Sequence, residues 1–113
     1  MTEKFYSLLG ICQKARKLVS GSTVCEKAIR TGKAKLIIIS EEASEETVNK
    51  YKRFSDRYKL PLVKVASKEQ LGRSIGKVSR TVIVITDSSL SKLLLDEIDT
   101  KKTCAGVSSN GEN

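Results

Sequence analysis

The chain has 113 residues, too few for two cores and enough for one that folds unaided. Lysine and arginine outnumber aspartate and glutamate by 21 to 13, a net +8, and the excess gathers in residues 1–40 and 61–86, as suits a polyanionic partner. Histidine is absent and the three cysteines form no C-x-x-C, which excludes zinc sites, histidine-based triads and imidazole acid–base chemistry together.

Phe5 to Lys17 reads as a first helix, with Phe5, Leu8, Leu9, Cys12 and Ala15 spaced to face a core. No signal-peptide pattern is visible and no apolar run approaches ~20 residues, so a cytoplasmic protein without a membrane partner is expected. Leu18 to Ser20 forms a brief strand, and Ser20, Gly21 and Ser22 a small-residue corner. A helix from about Ser22 to Thr31 follows and stops at Gly32. On a wheel Val24, Cys25, Ala28 and Ile29 fall on the buried side; Thr23, Glu26, Lys27, Arg30 and Thr31 fall on the other.

The corner has two readings. As an ordinary strand-to-helix turn, Gly21 supplies an unusual backbone angle, Ser22 caps the helix, and Thr23 can form a capping box with Glu26. As an anion site, Lys27 and Arg30 add positive charge behind a helix N-terminus whose N–H groups already attract phosphate, with Lys33 and Lys35 in the basic turn beyond.

Lys35 to Ser40 is aliphatic almost throughout, as a strand covered on both faces must be. Ser44 looks like an N-cap, with Glu45 and Glu46 in the first turn of a third helix whose inner side carries Val48, Tyr51, Phe54, Ser55 and Tyr58. Pro61 opens a strand from Leu62 to Val65, and Ser67 with Gln70 fits a capping box for a short helix reaching Ser74 or Ile75. Thr81 to Thr86 is the second strongly apolar strand. Asp87 or Ser88 caps a last helix carrying Leu90, Leu93, Leu94 and Ile98. The alternation predicts one α/β domain over residues 1–99, a three-layer α/β/α sandwich on a small mixed four-stranded sheet, with a polar tail over 100–113.

The catalytic alternatives fail on spacing. Gly72 to Val78 has three residues between its glycines and Val78 after Lys77, where a P-loop needs four and a Ser or Thr. Glu41, Glu42, Glu45 and Glu46 cluster at a helix start without histidine or apolar surroundings, as dipole-compensating surface charges do. Cys12 and Cys25 sit on apolar helix faces as small core residues. A non-enzyme without metal or cofactor is expected.

From Gly21 to Leu36 the chain reads G-x-x-x-x-x-K-A-I-x-x-G-K-A-K-L, followed by an aliphatic strand and E-E-A-S. Together with L-G-R-S-I-G-K (Leu71 to Lys77) and V-I-V-I-T-D (Val82 to Asp87), this resembles the ribosomal kink-turn-binding superfamily, that of large-subunit ribosomal proteins seven-Ae and thirty-e. Within it the chain is most similar to the short bacterial YlxQ-type members, over about residues 4–98. The resemblance implies an α/β/α sandwich that grips a sharply bent RNA duplex. It also implies two contact surfaces: Gly21, Ser22, Thr23, Val24 and Lys27, and Lys77, Val78, Ser79 and Arg80.

One departure bears on base reading. The family's RNA binders carry Asn-Glu where this chain has Thr23-Val24, and Val24 cannot accept the hydrogen bond that the glutamate takes from sheared guanines. Phosphate gripping by Lys27, Lys77 and Arg80, helped by Arg30, Lys33 and Lys35, is therefore expected to outweigh base contacts. The aromatics all fall on predicted helices, which argues against single-strand stacking on the sheet. The expected partner is structured RNA, ribosomal or regulatory, bound by a monomer. A protein-interaction module of the same fold is the main alternative, and an accessory RNA-binding domain acting with a separate enzyme is a third.

Overall fold

The structure is a computed structural model and describes residues 1–99; the expected polar tail, with Cys104 and Lys101, lies outside the described residues. Helix α1 (Glu3–Lys14) leads into β1 (Leu18–Ser20), α2 (Ser22–Arg30), β2 (Leu36–Ile39) and α3 (Glu45–Tyr58). Then come β3 (Leu62–Lys64), α4 (Lys68–Ser74), β4 (Val82–Ile85) and α5 (Ser88–Asp99). The four strands form one mixed sheet in the order β1-β4-β2-β3, antiparallel except for the parallel pair β2–β3.

The two continuous aliphatic runs occupy the two central positions, as strands buried on both faces must. Alternation along them builds two cores. Leu36, Ile38, Ile83 and Ile85 meet Phe5, Leu9 and Cys12 of α1, Leu71 of α4, and Leu94 and Ile98 of α5. Ile37, Ile39, Val82 and Val84 meet Cys25 and Ile29 of α2 and Tyr51 of α3 on the other face. The result is the three-layer α/β/α sandwich that the pattern predicts. Truncating any of these strand isoleucines to alanine would cost about 2–5 kcal/mol through lost burial and the cavity left behind.

The helix ends follow local chemistry at several places. Ser44 Oγ accepts from Thr47 N at 3.1 Å. Ser67 and Gln70 form the reciprocal capping box. Asp87 Oδ2 accepts from Leu90 N at 2.9 Å, so Asp87 rather than Ser88 caps α5.

Several expectations are corrected. Helix α1 starts earlier, with Thr2 as its cap, and ends before Arg16, whose positive φ of 61° turns the chain back toward β1; Ala15 is exposed. Val24 is 50% exposed, because the first turn of α2 has no core beneath it at that position, and Leu93 is 49% exposed on α5. The N-cap of α2 is Gly21, with no side-chain cap, so neither Ser22 nor Thr23 plays that part. Glu26 is instead bound to Lys50 and Arg30.

Candidate nucleic-acid interface

The sheet topology brings two distant segments to one corner. Strand β1 runs antiparallel to β4, pairing Ser20 with Ile83, so the start of α2 and the loop before β4 share one end of the sheet. Gly21 N donates to Val82 O at 3.2 Å across that end. Gly21 has φ 92° and ψ 145°, a conformation that side-chain-bearing residues avoid, and it lets the chain leave β1 and enter α2 without an intervening loop. With no side-chain cap at that terminus, the first-turn N–H groups of α2 are left for solvent or an incoming acceptor.

Arg80 ties the corner together. Its Nε donates to Ser20 Oγ at 3.0 Å and its Nη1 to Ser79 O at 2.7 Å, while its backbone N donates to Lys68 O at 2.9 Å. The guanidinium therefore joins the residue before Gly21 to the loop 60 residues later. Gly72 sets the depth of that loop: a Cβ there would lie 2.4 Å from Ser79 Cα, so only glycine lets the loop lie so close against α4. Lys77 N then donates to Gly72 O at 2.8 Å, and Val78 stands 89% exposed at the tip.

Of the residues that the sequence singles out, Gly21, Ser22, Thr23, Val24 and Lys27 lie along the first turns of α2, and Lys77, Val78, Ser79 and Arg80 lie in the facing loop. Lys27 and Lys77 are exposed and form no ion pair within the described residues. The corner can thus offer three cations, uncapped helix N–H groups and two exposed valines, Val24 and Val78. It offers a bound base no carboxylate acceptor from positions 23 and 24.

Lys33 and Lys35 are not brought there. Lys35 N donates to Ile85 O at 2.7 Å, at the far end of β4 from Val82, about 10 Å away at ~3.3 Å per strand residue. Arg30 closes the far end of α2, paired with Glu26 at 3.4 Å and stacked 5.5 Å over the Phe54 ring. Sequence reasoning missed the Arg80–Ser20 bond and the Glu26–Lys50 pair, both set by tertiary contacts with no local spacing signal.

Elsewhere the chemistry is quiet. Burial pushes the Cys12 thiol up to about 11 and the Cys25 thiol up to about 12, which keeps both protonated at neutral pH. Tyr51 lies beneath α2, and burial pushes its phenol up to about 12; the Ser22 hydroxyl opposes that shift without reaching hydrogen-bond geometry. Among the described residues no group of three Cys, Asp or Glu side chains could hold a metal ion, and no helix is long and apolar enough to cross a membrane.

Comparison with known proteins agrees with this architecture. The profile of the "Ribosomal protein L7Ae/L30e/S12e/Gadd45 family" matches residues 3–95. The chain is 41% identical over 96 residues to the RNA-binding protein YlxQ of Bacillus subtilis (strain 168), covering 85% of this chain and 96% of that one. It is 33% identical over 90 residues to the RNA-binding protein YlxQ of Enterococcus faecium, covering 80% and 86%. A solved protein of unknown function from Bacillus halodurans C superposes with a TM-score of 0.84 at 36% identity, over 87% of this chain and 99% of that one. The Giardia lamblia 15.5kD RNA binding protein shares the fold, with a TM-score of 0.72 at 24% identity over 92% of each chain.

Proposed function

The chain belongs to the ribosomal protein L7Ae/L30e/S12e/Gadd45 family, and from that premise we propose that it binds structured RNA without catalysis, gripping a kink-turn or similarly bent duplex at the α2–loop corner. It acts as a cytoplasmic, ribosome-associated monomer. Lys27, Lys77 and Arg80 neutralise phosphates that the bend crowds together, the N–H groups at the start of α2 position one of them, and Val24 and Val78 pack on exposed sugar or base surface. The observation that carries the reading is the Arg80–Ser20 bond, which ties the two basic segments to each other before any ligand arrives. The RNA-binding names of the Bacillus and Enterococcus relatives support the ligand class.

A protein-interaction role is the second reading, favoured by the two exposed valines and by the missing acceptor at position 24. Gel-shift titration with a kink-turn RNA beside a matched straight duplex separates the two. RNA binding predicts tighter retention of the bent form and a steep loss with salt. Weak, salt-insensitive binding of both would favour a protein partner.

A further inference from the structure

Helices α2 and α3 enclose a second basic feature that the corner does not use. Contacts across their groove rise together in residue number, Glu26 with Lys50 and Arg30 with Phe54, so the helices run the same way from the corner toward the far end of the sheet. There the groove opens into a cleft of ≈ 320 Å³ lined by Arg30, Lys50, Arg53, Phe54 and Arg57. That volume lies at the small end of ligand pockets, about 300–1,000 Å³, and suits one nucleotide rather than a duplex.

The charges around the cleft are one-sided. Glu26 is taken by Lys50 and Arg30, whereas Arg53 and Arg57 meet no carboxylate within the described residues. The floor is aromatic: Phe54 lies 5.7 Å from Tyr51 and 6.3 Å from Tyr58 by ring centroid, and Arg30 stacks over it. A partly buried ring whose outer side carries a flat guanidinium, with Arg53 and Arg57 at the rim free of carboxylates and Arg57 lying 5.8 Å over Tyr58, is a set of groups that can hold an unpaired base and its phosphates.

We infer that this cleft binds a single-stranded nucleotide of the same RNA, its base against Phe54 and Arg30 and its flanking phosphates on Arg53 and Arg57. This rests on the RNA-binding reading of the corner. Arg30 lies eight residues beyond Ser22, about 12 Å along the helix, which three or four stacked nucleotide steps of ~3.4 Å would span. The occupant is therefore a short unpaired extension leaving the gripped duplex. The sheet carries no stacking aromatic, but this helix-built platform supplies one.

The test compares a blunt bent duplex with the same duplex bearing a four-nucleotide single-stranded extension on each strand end in turn. One extension should tighten binding by about tenfold, as stacking one base does, and steepen the log affinity–log salt slope by about 1.4 for two phosphates. The exposed double substitution Arg53→Ala/Arg57→Ala should abolish the gain while leaving blunt-duplex binding unchanged. Phe54→Leu, which keeps apolar volume, should lose the gain but keep most of the slope. No gain with any extension, or equal loss on blunt and extended RNA in the double variant, overturns the inference.

Amide NMR with a single-stranded uridine tetranucleotide tests the cleft apart from the duplex. Shifts centred on Arg53, Phe54 and Arg57 support it even if no duplex binds and the corner reading fails. Shifts there with a polyglutamate peptide but not with the tetranucleotide overturn it in favour of an acidic protein segment.

Discussion

Replacing Arg80 by alanine separates a tether from a simple surface charge. Its guanidinium makes two hydrogen bonds, to Ser20 Oγ at 3.0 Å and Ser79 O at 2.7 Å, from a half-buried position. Hydrogen bonds to charged groups contribute about 1.5–3 kcal/mol each when sheltered, and partial solvation of this pair brings the expected loss for Arg80→Ala to about 1.5–2.5 kcal/mol. For a domain of this size that lowers Tm by roughly 6–20 °C. Ser20→Ala should cost about 1 kcal/mol, and the double variant no more than Arg80→Ala alone, because both remove one contact. The RNA readout divides differently. Arg80→Ala should weaken binding and flatten the salt slope by about one phosphate, near 0.7–0.9. Arg80→Lys, which keeps charge but not the fork geometry, should keep the slope and lose stability. Ser20→Ala should weaken binding about three- to fivefold at unchanged slope, since a freed arginine must be ordered again on binding. Thermal melts in parallel with salt-titrated binding check all of these. Additive stability losses in the double variant, or a Ser20→Ala protein that binds as well as the native one, would refute the tether.

Lys27→Ala should weaken RNA binding by about 1–2 kcal/mol across sequences while Lys92→Ala changes nothing, read by gel shift; equal losses would remove the case for a localised site. Thr23→Asn with Val24→Glu should raise discrimination between a kink-turn and a G·A-less mutant by about tenfold. Because Val24 is half exposed, the new acid should leave Tm nearly unchanged. Gly72→Ala should cost about 1–3 kcal/mol by pushing on the Ser79 backbone, and should also weaken RNA binding by displacing the Lys77–Arg80 loop; a lowered Tm with full affinity would show that loop placement is irrelevant. Stability should be level up to pH 9.0, the ordinary thiol value, and then fall toward pH 11–12. In that window the unfolded thiols ionise while buried Cys12 and Cys25 stay protonated, at about 1.4 kcal/mol per pH unit for each. Cys12→Ala/Cys25→Ala should flatten the decline between pH 9 and 10 in urea melts and leave above pH 10 the part due to the buried Tyr51 phenol.

The framework was legible where one chemical demand acts alone. Continuous aliphatic runs have no stable place except the middle of a covered sheet, so β2 and β4 could be placed from sequence. Ser44 and the Ser67–Gln70 pair act within four residues, and their caps formed as read. What escaped depends on distant partners. The Thr23–Glu26 box does not form because Lys50 of α3 takes the glutamate. Val24 belongs to the apolar arc of α2 by angle, but the first turn has no core beneath it there. Lys33 and Lys35 share a basic stretch with Lys27, yet a helix and a turn carry them to the opposite end of the sheet. The corner's two halves were legible as separate motifs; the arginine that joins them was named as a cation and not as a tether.

A preformed corner that grips bent RNA does so through a few phosphates. With Lys33 and Lys35 at the far end, three side-chain cations remain there, so the slope of log affinity against log salt should be about −2 to −3 for a blunt bent duplex. Salt-titrated gel shifts with a kink-turn RNA and a matched straight duplex measure this directly. That slope is expected, with the bent RNA held about tenfold tighter or more. A near-flat salt response with no preference for the bend would contradict it.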